Sequence, residues 1–400
     1  MRIVMRDAIP PIGIIALGLA LILIPARDAT AEDSSVSIGG ALGVNWVYGD
    51  YDNRRGENLG DVDLELFRLN ADLNHNNLIG RVEYRWYDGY SMMHTAWLGY
   101  QTDDFGTVRA GIVRVPFGPG NYGVSSSWYF DQHFYVGLID DMDLGVTWTT
   151  SVGGLNVDLA YFFQDEGHWD GDSSLDSARY SYDPVIWGKA NGTCNAGDNR
   201  CGFTENGQIN LRAVYVMDGG GDVGASIQYG RLEGTNVHDS GANHFAASVH
   251  GTTSFGDVKL VSQLSYYKYD ITEDTPWRGS GALIPMGAYE WPELVATEGW
   301  IPAVSLRYGG VDTSGLAWLD SVTPYVEWSS ILKQQDGFND SSLWTIGASW
   351  FWGGVYVYTD IGFSDGNFFV GPGGDFGDNR ANDWEKRFNI NVRYYFNLFK

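Results

Sequence analysis

Fixed charges are the chemical groups whose spacing stands out in this chain of 400 residues. Five arginines stand on three segments of alternating apolar and polar residues, and three acids follow on one connection. The arginines are Arg68, Arg81, Arg85, Arg109 and Arg114, and the acids are Asp131, Asp140 and Asp141. Opposed rows of such charges would set a transverse electric field across a narrow aqueous gap and would select ions by sign. The alternative is that the arginines pair with Glu83 or Asp72 in the wall that carries them.

Other reactive groups give weaker signals. Cys194 and Cys201 lie close together in one acidic connection, and a disulfide between them is expected in an oxidising compartment. The seven histidines show no metal-ligand spacing, and the run Asp170-Gly171-Asp172 lacks the other ligands of a calcium loop. The sequence has no nucleophile-elbow, phosphate-loop or dinucleotide motif. We therefore expect no catalytic residue, no metal, no cofactor and no enzymatic activity.

The elements that position the charges follow from the connections between apolar segments. Clusters of Gly, Asp, Asn and Pro alternate between short and long. The short ones are 74–77, 102–106, 152–154, 218–221 and 353–354, and the long ones are roughly 115–142, 165–205, 271–298 and 364–385. A transmembrane antiparallel β-barrel sorts its connections in this way, because hairpins at one end are tight and those at the other end are elaborated. A soluble sandwich has no reason to do so.

Side-chain alternation within the segments also predicts a membrane barrel. In the last segment, apolar residues from Phe388 to Leu398 alternate with polar residues from Asn389 to Asn397. An apolar exterior with a polar interior indicates lipid outside and water inside, whereas a soluble barrel has the reverse pattern. We count sixteen segments, with fourteen to eighteen allowed. They lie near 35–48, 62–73, 78–87, 92–101, 107–114, 143–151, 155–164, 207–217, 222–231, 243–252, 256–269, 299–308, 320–329, 342–352, 355–363 and 387–399.

The composition agrees with this fold class. The formal net charge is −25, yet the acids are concentrated in long connections such as 165–205 and 364–385 rather than in the alternating segments. Aromatic residues make up 15% of the chain, with 16 Trp and 24 Tyr. Such an excess of amphipathic rings is typical of the two interfacial girdles of a membrane barrel.

Residues 1–31 have the organisation of an export signal. Arg2 and Arg6 precede the apolar stretch from Ile9 to Leu23, and Ala29-Thr30-Ala31 offers a small-x-small cleavage site. We expect cleavage after Ala31 and a single transmembrane β-barrel over residues 32–400. Export followed by a barrel implies the outer membrane of a Gram-negative cell. The expected partners are then outer-membrane lipid and lipopolysaccharide, and not nucleic acid.

The connection over residues 115–142 differs from the other long ones. It is rich in aromatic residues from Trp128 to Tyr135, and all of its charges are acidic. An exposed loop is normally hydrophilic, so this one is expected to pack against another surface. Folding inward would bury the aromatics and leave the acids at a constriction. The alternative is packing on other surface loops or on a neighbouring subunit.

The sequence around this connection resembles a known family. Residues Arg109 to Gly118 form a strand that leads into Pro-Phe-Gly, and the stretch from Tyr135 to Gly145 follows. Together they are similar to Gram-negative porins, nearest to the phosphate-selective porin O and P group and related general porins. The alternating apolar residues from Val392 to Leu398 are also similar to the C-terminal strand of outer-membrane barrels, with Lys400 in place of a final Phe.

The resemblance implies a sixteen-stranded homotrimeric channel in which the third loop narrows the lumen. Its function would be passive diffusion of small hydrophilic solutes and ions across the outer membrane. One different function is that of a substrate-specific channel for sugars or small anions, in which the loop aromatics form a stacking surface. A second is that of a barrel enzyme of the protease or phospholipase type, and a third is that of an adhesin or phage receptor.

Overall fold

A computed structural model of the protein describes residues 34–51, 60–171, 179–187, 201–237, 241–271, 281–374 and 376–399. The expected export signal over 1–31 and Cys194 lie outside the described residues. Phe134–Val136 forms one turn of 3₁₀-helix. No helix in the described part of the chain is long and apolar enough to cross a membrane.

Sixteen long strands form one antiparallel sheet that closes on itself. They are β1 (Ser34–Gly49), β2 (Asp61–His75), β3 (Leu78–Trp86), β4 (Tyr90–Thr102), β5 (Gly106–Arg114), β6 (Met142–Val152), β7 (Leu155–Asp165), β8 (Cys201–Val216), β9 (Asp222–Thr235), β10 (Gly241–Phe255), β11 (Val258–Asp270), β12 (Glu298–Tyr308), β13 (Ser321–Lys333), β14 (Ser341–Trp352), β15 (Val355–Asp365) and β16 (Trp384–Phe399). Each strand pairs with the next along the chain, and β16 pairs with β1. The predicted sixteen-stranded antiparallel barrel is confirmed.

The strands have one apolar face and one polar face, as predicted. On β8 the exposed fractions of Ile209 and Leu211 are 51% and 44%, whereas Asn210 between them is 0% exposed. Because successive side chains of a strand point to opposite faces, Ile209 and Leu211 point outward and Asn210 points into the lumen. The exposed apolar belt is the surface that lipid would cover.

Tight turns join the strands at one end of the barrel. Gly153 and Gly154 between β6 and β7, and Gly353 and Gly354 between β14 and β15, all have positive φ angles. Two-residue hairpins that match the strand twist need positive φ at both central positions, so glycine is favoured there. The connection 309–320 is an exception at this end, because it is longer than the other turns.

At the opposite end the inward faces of the strands become apolar. The residues that show this are buried near the ends of five strands: Phe203, Leu232, Tyr267, Ile301 and Leu343. They belong to one apolar cluster with side chains from the long connections, among them Tyr135, Leu138, Phe368 and Phe376. A polar interior was expected along the whole lumen, and that expectation is wrong at this end. The long connections fold inward and supply an apolar core.

A small second sheet lies among the long connections and was not predicted. The strand Leu283–Ala288 pairs with Trp291–Ala296 on one side and with Asp183–Pro184 on the other. Every residue of Leu283–Ala288 is buried. This sheet joins the connection between β7 and β8 to the connection between β11 and β12, so the outer end of the barrel is organised as a unit.

The outward face of β9 gives a test of the lipid-facing assignment. Ile227 lies in its apolar belt and pairs with Leu211 and Ala247, whereas Val223 lies near the tight-turn end. We expect Ile227→Arg to lower the free energy of unfolding by about 2–4 kcal/mol and Val223→Arg by about 0–1 kcal/mol, because the cost of a lipid-facing cation depends on depth. Urea unfolding in lipid vesicles, followed by tryptophan fluorescence, measures both. Equal losses for the two variants would contradict the assignment.

Candidate functional site

The connection between β5 and β6 is folded into the barrel, as predicted. Residues 115–141 are called the inner loop below. The backbone N–H of Val115 donates to the carbonyl of Asp141 at 2.9 Å, which closes the base of the loop. Most of the loop is buried, and its hydrogen bonds reach the Glu65 carboxylate on β2 and the Arg387 carbonyl on β16. The inner loop therefore crosses the lumen.

Two arginines of the barrel wall hold the first part of the inner loop. Arg212 on β8 donates to the carbonyl of Gly118 at 2.7 Å and to the carboxylate of Asp158 at 2.8 Å. Arg307 on β12 donates to the carbonyl of Val124 at 2.5 Å. A guanidinium offers several donors in a fixed plane, so it can bind a backbone carbonyl and still carry its charge into the lumen.

Buried carboxylates on the far wall hold the middle of the inner loop. Glu327 on β13 accepts hydrogen bonds from the Ser125 hydroxyl at 2.7 Å and from the Ser126 N–H at 2.5 Å. Asp360 on β15 accepts from the Trp128 N–H at 2.9 Å. Charge-assisted hydrogen bonds of this kind are stronger than neutral ones. The loop is thus attached on both sides of the lumen.

Aromatic packing fixes the rest of the inner loop. The rings of Phe130 and Phe134 stack with their centroids 4.5 Å apart, and the ring of Tyr135 meets that of Phe368 edge to face at 5.2 Å. The guanidinium of Arg387 on β16 lies 4.3 Å from the ring centroid of Phe369. Offset and edge-on ring contacts are the favourable geometries for aromatic pairs. Most of the loop aromatics therefore form a core, whereas Tyr122 is 48% exposed.

Three of the predicted arginines converge on one buried carboxylate. Glu83 on β3 is 1% exposed and accepts hydrogen bonds from Arg68 at 3.1 Å, Arg81 at 2.7 Å and Arg85 at 2.8 Å. Arg81 also donates to Asp72 at 2.7 Å. These contacts match the alternative expectation, in which the arginines pair with Glu83 or Asp72 in the barrel wall. Three guanidinium groups face two carboxylates, so the cluster keeps a net positive charge.

The other two predicted arginines lie on β5 in different environments. The guanidinium of Arg109 lies 5.3 Å from the ring centroid of Trp97. Arg114 pairs with Asp140 and donates to the Asn121 carbonyl at 3.2 Å. Asp140 also accepts a hydrogen bond from the Tyr180 hydroxyl at 2.5 Å. Arg114, which is partly exposed, and buried Asp140 therefore form an ion pair at the base of the inner loop.

The predicted acids do not line an open gap. Asp131, Asp140 and Asp141 are each 2% exposed. Asp131 accepts hydrogen bonds from the N–H groups of Val124 at 2.9 Å and His133 at 2.8 Å, both within the inner loop. The expectation of free acids facing free arginines needs correction, because the loop folds around its own carboxylates. Cys201 is fully buried at the start of β8, and the disulfide with Cys194 stays a prediction.

Further arginines of the lumen were not among the predicted site residues. Arg393 on β16 donates to Glu65 at 3.2 Å and 2.5 Å, and its side chain is 22% exposed. Arg212, Arg307 and Arg387 belong to the same set. All four alternate with outward-facing residues, so the alternation of side chains along the strands could have found them. The lumen thus carries arginines on β2, β3, β5, β8, β12 and β16.

Some of these arginines have no carboxylate partner in the described residues. Arg109 and Arg307 form no ion pair there, whereas the lumenal acids Asp72, Asp158 and Glu65 are each paired with an arginine. The exposed charge along this part of the wall is therefore positive. Such an arrangement can attract anions and bind none of them tightly, as a conducting pore requires.

Glu327 tests the attachment of the inner loop. It accepts three hydrogen bonds, the third from Ser305 at 2.9 Å, and an amide in its place would turn its NH₂ toward a donor. We expect Glu327→Gln to lower the free energy of unfolding by about 1–3 kcal/mol, the cost of leaving buried groups unsatisfied. Glu233→Gln on the exposed face of β9 is the control and should change it by less than about 0.5 kcal/mol. Urea unfolding measures the free energy of unfolding of both variants. Similar losses for Glu327→Gln and Glu233→Gln would show that Glu327 does not anchor the inner loop.

No protein-family model and no curated protein sequence matches the chain. Among solved structures, DcaP, an outer-membrane channel of Acinetobacter baumannii, is 12% identical, with a TM-score of 0.57 over 93% of this chain and 100% of that one. The trimer form of OmpT, an outer-membrane protein of Vibrio cholerae, is 15% identical, with a TM-score of 0.55 over 91% and 100%. An anion-selective porin from Comamonas acidovorans is 13% identical, with a TM-score of 0.54 over 91% and 100%. At these identities the likeness concerns the fold, and the fold is that of outer-membrane porins and channels.

Proposed function

We propose that the protein is an outer-membrane porin that forms a water-filled channel for passive diffusion of small hydrophilic solutes and ions. The observation that carries the proposal is the inner loop, which is fixed across the lumen of a closed sixteen-stranded barrel. A barrel of sixteen strands encloses an aqueous channel, and a loop fixed inside it narrows that channel. The export signal with cleavage after Ala31 and the location in the outer membrane are parts of the same proposal.

The channel prefers anions. Arg109 and Arg307 carry positive charge and form no ion pair with a carboxylate of the described residues, and the cluster around Glu83 adds to this charge. In a narrow lumen with low-dielectric walls, such charges raise the local concentration of anions. The similar barrel from Comamonas acidovorans is described as anion-selective, which supports this preference.

A general porin is favoured over a channel for sugars. A sugar channel needs a row of exposed aromatic rings along the path. The inner-loop rings of Phe134, Tyr135 and Tyr129 are buried, and Tyr122, at 48%, is the one exposed ring of that loop. Small anions are the solutes that the positively charged arginines of the lumen would attract. Phosphate selectivity is not part of the proposal, because the phosphate-selective porins that the sequence resembles are rich in pore lysines and this chain has only six Lys.

Charge selectivity tests the proposal. The variant Arg109→Gln/Arg307→Gln removes two unpaired lumenal cations, so we expect the permeability ratio of chloride to potassium to fall. Arg231→Gln on the outward face of β9 is the control and should leave the ratio unchanged. Reversal potentials across a planar bilayer under a KCl gradient measure all three proteins. No conductance from the native protein, or equal shifts for both variants, would contradict the proposal.

Assembly gives a separate test. We propose a homotrimer, because the similar OmpT barrel was solved in a trimer form and porin neighbours share the fold. The unheated protein should migrate as an oligomer in mild detergent gels and as a monomer after boiling. Cross-linking of the detergent-solubilised protein before electrophoresis gives the subunit number. Migration of the unheated sample only as a monomer would contradict the trimer.

A further inference from the structure

A second group of charges lies where the inner loop returns to β6, and no step of the proposed conduction uses it. Asp141 ends the inner loop, Asp143 follows on β6, Asp183 lies in the small sheet, and Glu205 lies near the start of β8. Their exposed fractions are 2%, 0%, 1% and 8%. Further buried charges lie beside them: Asp165, Glu166 and Arg179. Six buried carboxylates and one buried arginine thus lie close together inside the protein.

The carboxylates are close enough to share one ligand. One oxygen from each of Asp141, Asp143 and Asp183 lies within 4.8 Å of the other two. Arg179 approaches this group from one side, with its guanidinium 2.8 Å from Asp165 and 3.4 Å from Asp183. Like charges at such distances repel strongly away from water, so the acids need a further positive charge or protons.

Several oxygens of the group are also without hydrogen-bond partners. Neither side-chain oxygen of Asp143 accepts a hydrogen bond from the described residues, and the same holds for Oδ1 of Asp141 and Oε2 of Glu205. Glu166 has one such oxygen as well. Buried polar groups in proteins are normally paired, and buried charges are paired or coordinate a metal. Asp143 is fully buried and neither of its carboxylate oxygens accepts a hydrogen bond from the described residues, so it is the residue that most strongly indicates a cation-binding site.

We propose that Asp141, Asp143 and Asp183, with Glu205 beside them, bind a divalent cation of calcium's size. Carboxylate oxygens are the ligands of hard cations, and calcium accepts them at about 2.3–2.6 Å in flexible geometry. The three oxygens lie within 4.8 Å of one another, so all three fit in the coordination shell of one such ion. Magnesium holds its ligands at about 2.0–2.1 Å and demands a tighter octahedron.

The pKa shifts of the group agree with this geometry. Burial, together with the neighbouring acids, raises the pKa of Asp141 and Glu166, and burial raises the pKa of Asp183 to about 6. The charged form of these acids is therefore disfavoured where they lie, and a bound cation would supply the positive charge that offsets this cost.

The site would cross-link four parts of the structure. Asp141 belongs to the inner loop, Asp143 to the wall, Asp183 to the small sheet and Glu205 to the strand that follows the long connection after β7. A bound cation would fix the inner loop against the outer end of the barrel. It acts on loop position and stability, whatever solute the channel conducts.

The test uses the full mature chain, refolded into detergent free of lipopolysaccharide with either calcium or EDTA. We expect about one calcium ion per chain by elemental analysis and a higher Tm in calcium than in EDTA at the same pH. Asp141→Asn/Asp143→Asn should lose both effects. Asp103→Asn/Asp104→Asn, on an exposed tight turn, is the matched control and should keep both.

Two results would overturn the site. One is native protein that holds no calcium above the level of the Asp141→Asn/Asp143→Asn variant and melts at the same temperature in calcium and in EDTA. The other is stabilisation by magnesium equal to that by calcium. If the Asp141→Asn/Asp143→Asn variant does not fold, terbium luminescence of the native protein tests whether the site binds a cation. Terbium bound and displaced by calcium supports the site, and its failure to bind refutes the site.

Discussion

Lipid offers no hydrogen bonds, and this constraint determines the rest of the structure. Every backbone N–H and C=O within the membrane needs a partner in the protein, so a sheet that spans a bilayer must close. Closure is achieved where β1 pairs with β16 over a long register that includes Val44 with Val392. Once the sheet is closed, each strand has an outer face for lipid and an inner face for water or protein. The apolar exterior and the charged lumen both follow from that division.

The inside of the barrel is divided again along its axis. Near the tight turns and the middle of the strands, the lumenal side chains are charged and partly exposed, as with Arg81 and Arg212. Toward the long connections they are apolar and covered by the inner loop and the small sheet. Polar anchors such as Glu327 and Asp360 lie where the inner loop crosses from one region to the other. Channel properties therefore depend on how the connections pack as well as on the strands.

Strand positions could be predicted because each strand separates two different solvents. Ile209 and Asn210 differ in polarity because one faces lipid and the other faces the lumen, and paired glycines such as Gly153 and Gly154 mark the turns. The strand Leu283–Ala288 was missed for the opposite reason. It is buried on both faces, so its sequence has no alternation.

The candidate site was predicted only in part. The alternation of side chains along β3 places Arg81 and Arg85 in the lumen. Glu83 lies between them on the same face, so the sequence indicates that it can pair with both arginines. The role of Asp131 was not visible, because its partners depend on how the inner loop folds. The grouping of Asp143 with Glu205 could not be predicted either, since the residues lie on strands far apart in sequence.

The long-range bonds of the inner loop also constrain the order in which the protein can assemble. The N–H of Trp128 bonds to Asp360, and the hydroxyl of Tyr129 bonds to the carbonyl of Arg387, more than two hundred residues further along the chain. Contacts between such distant segments form slowly, because a large loop of chain must be closed first. A loop held on several sides of the lumen cannot easily be threaded into a barrel that has already closed. The final strands must therefore fold around the inner loop, so that the channel acquires its constriction before it acquires its last wall.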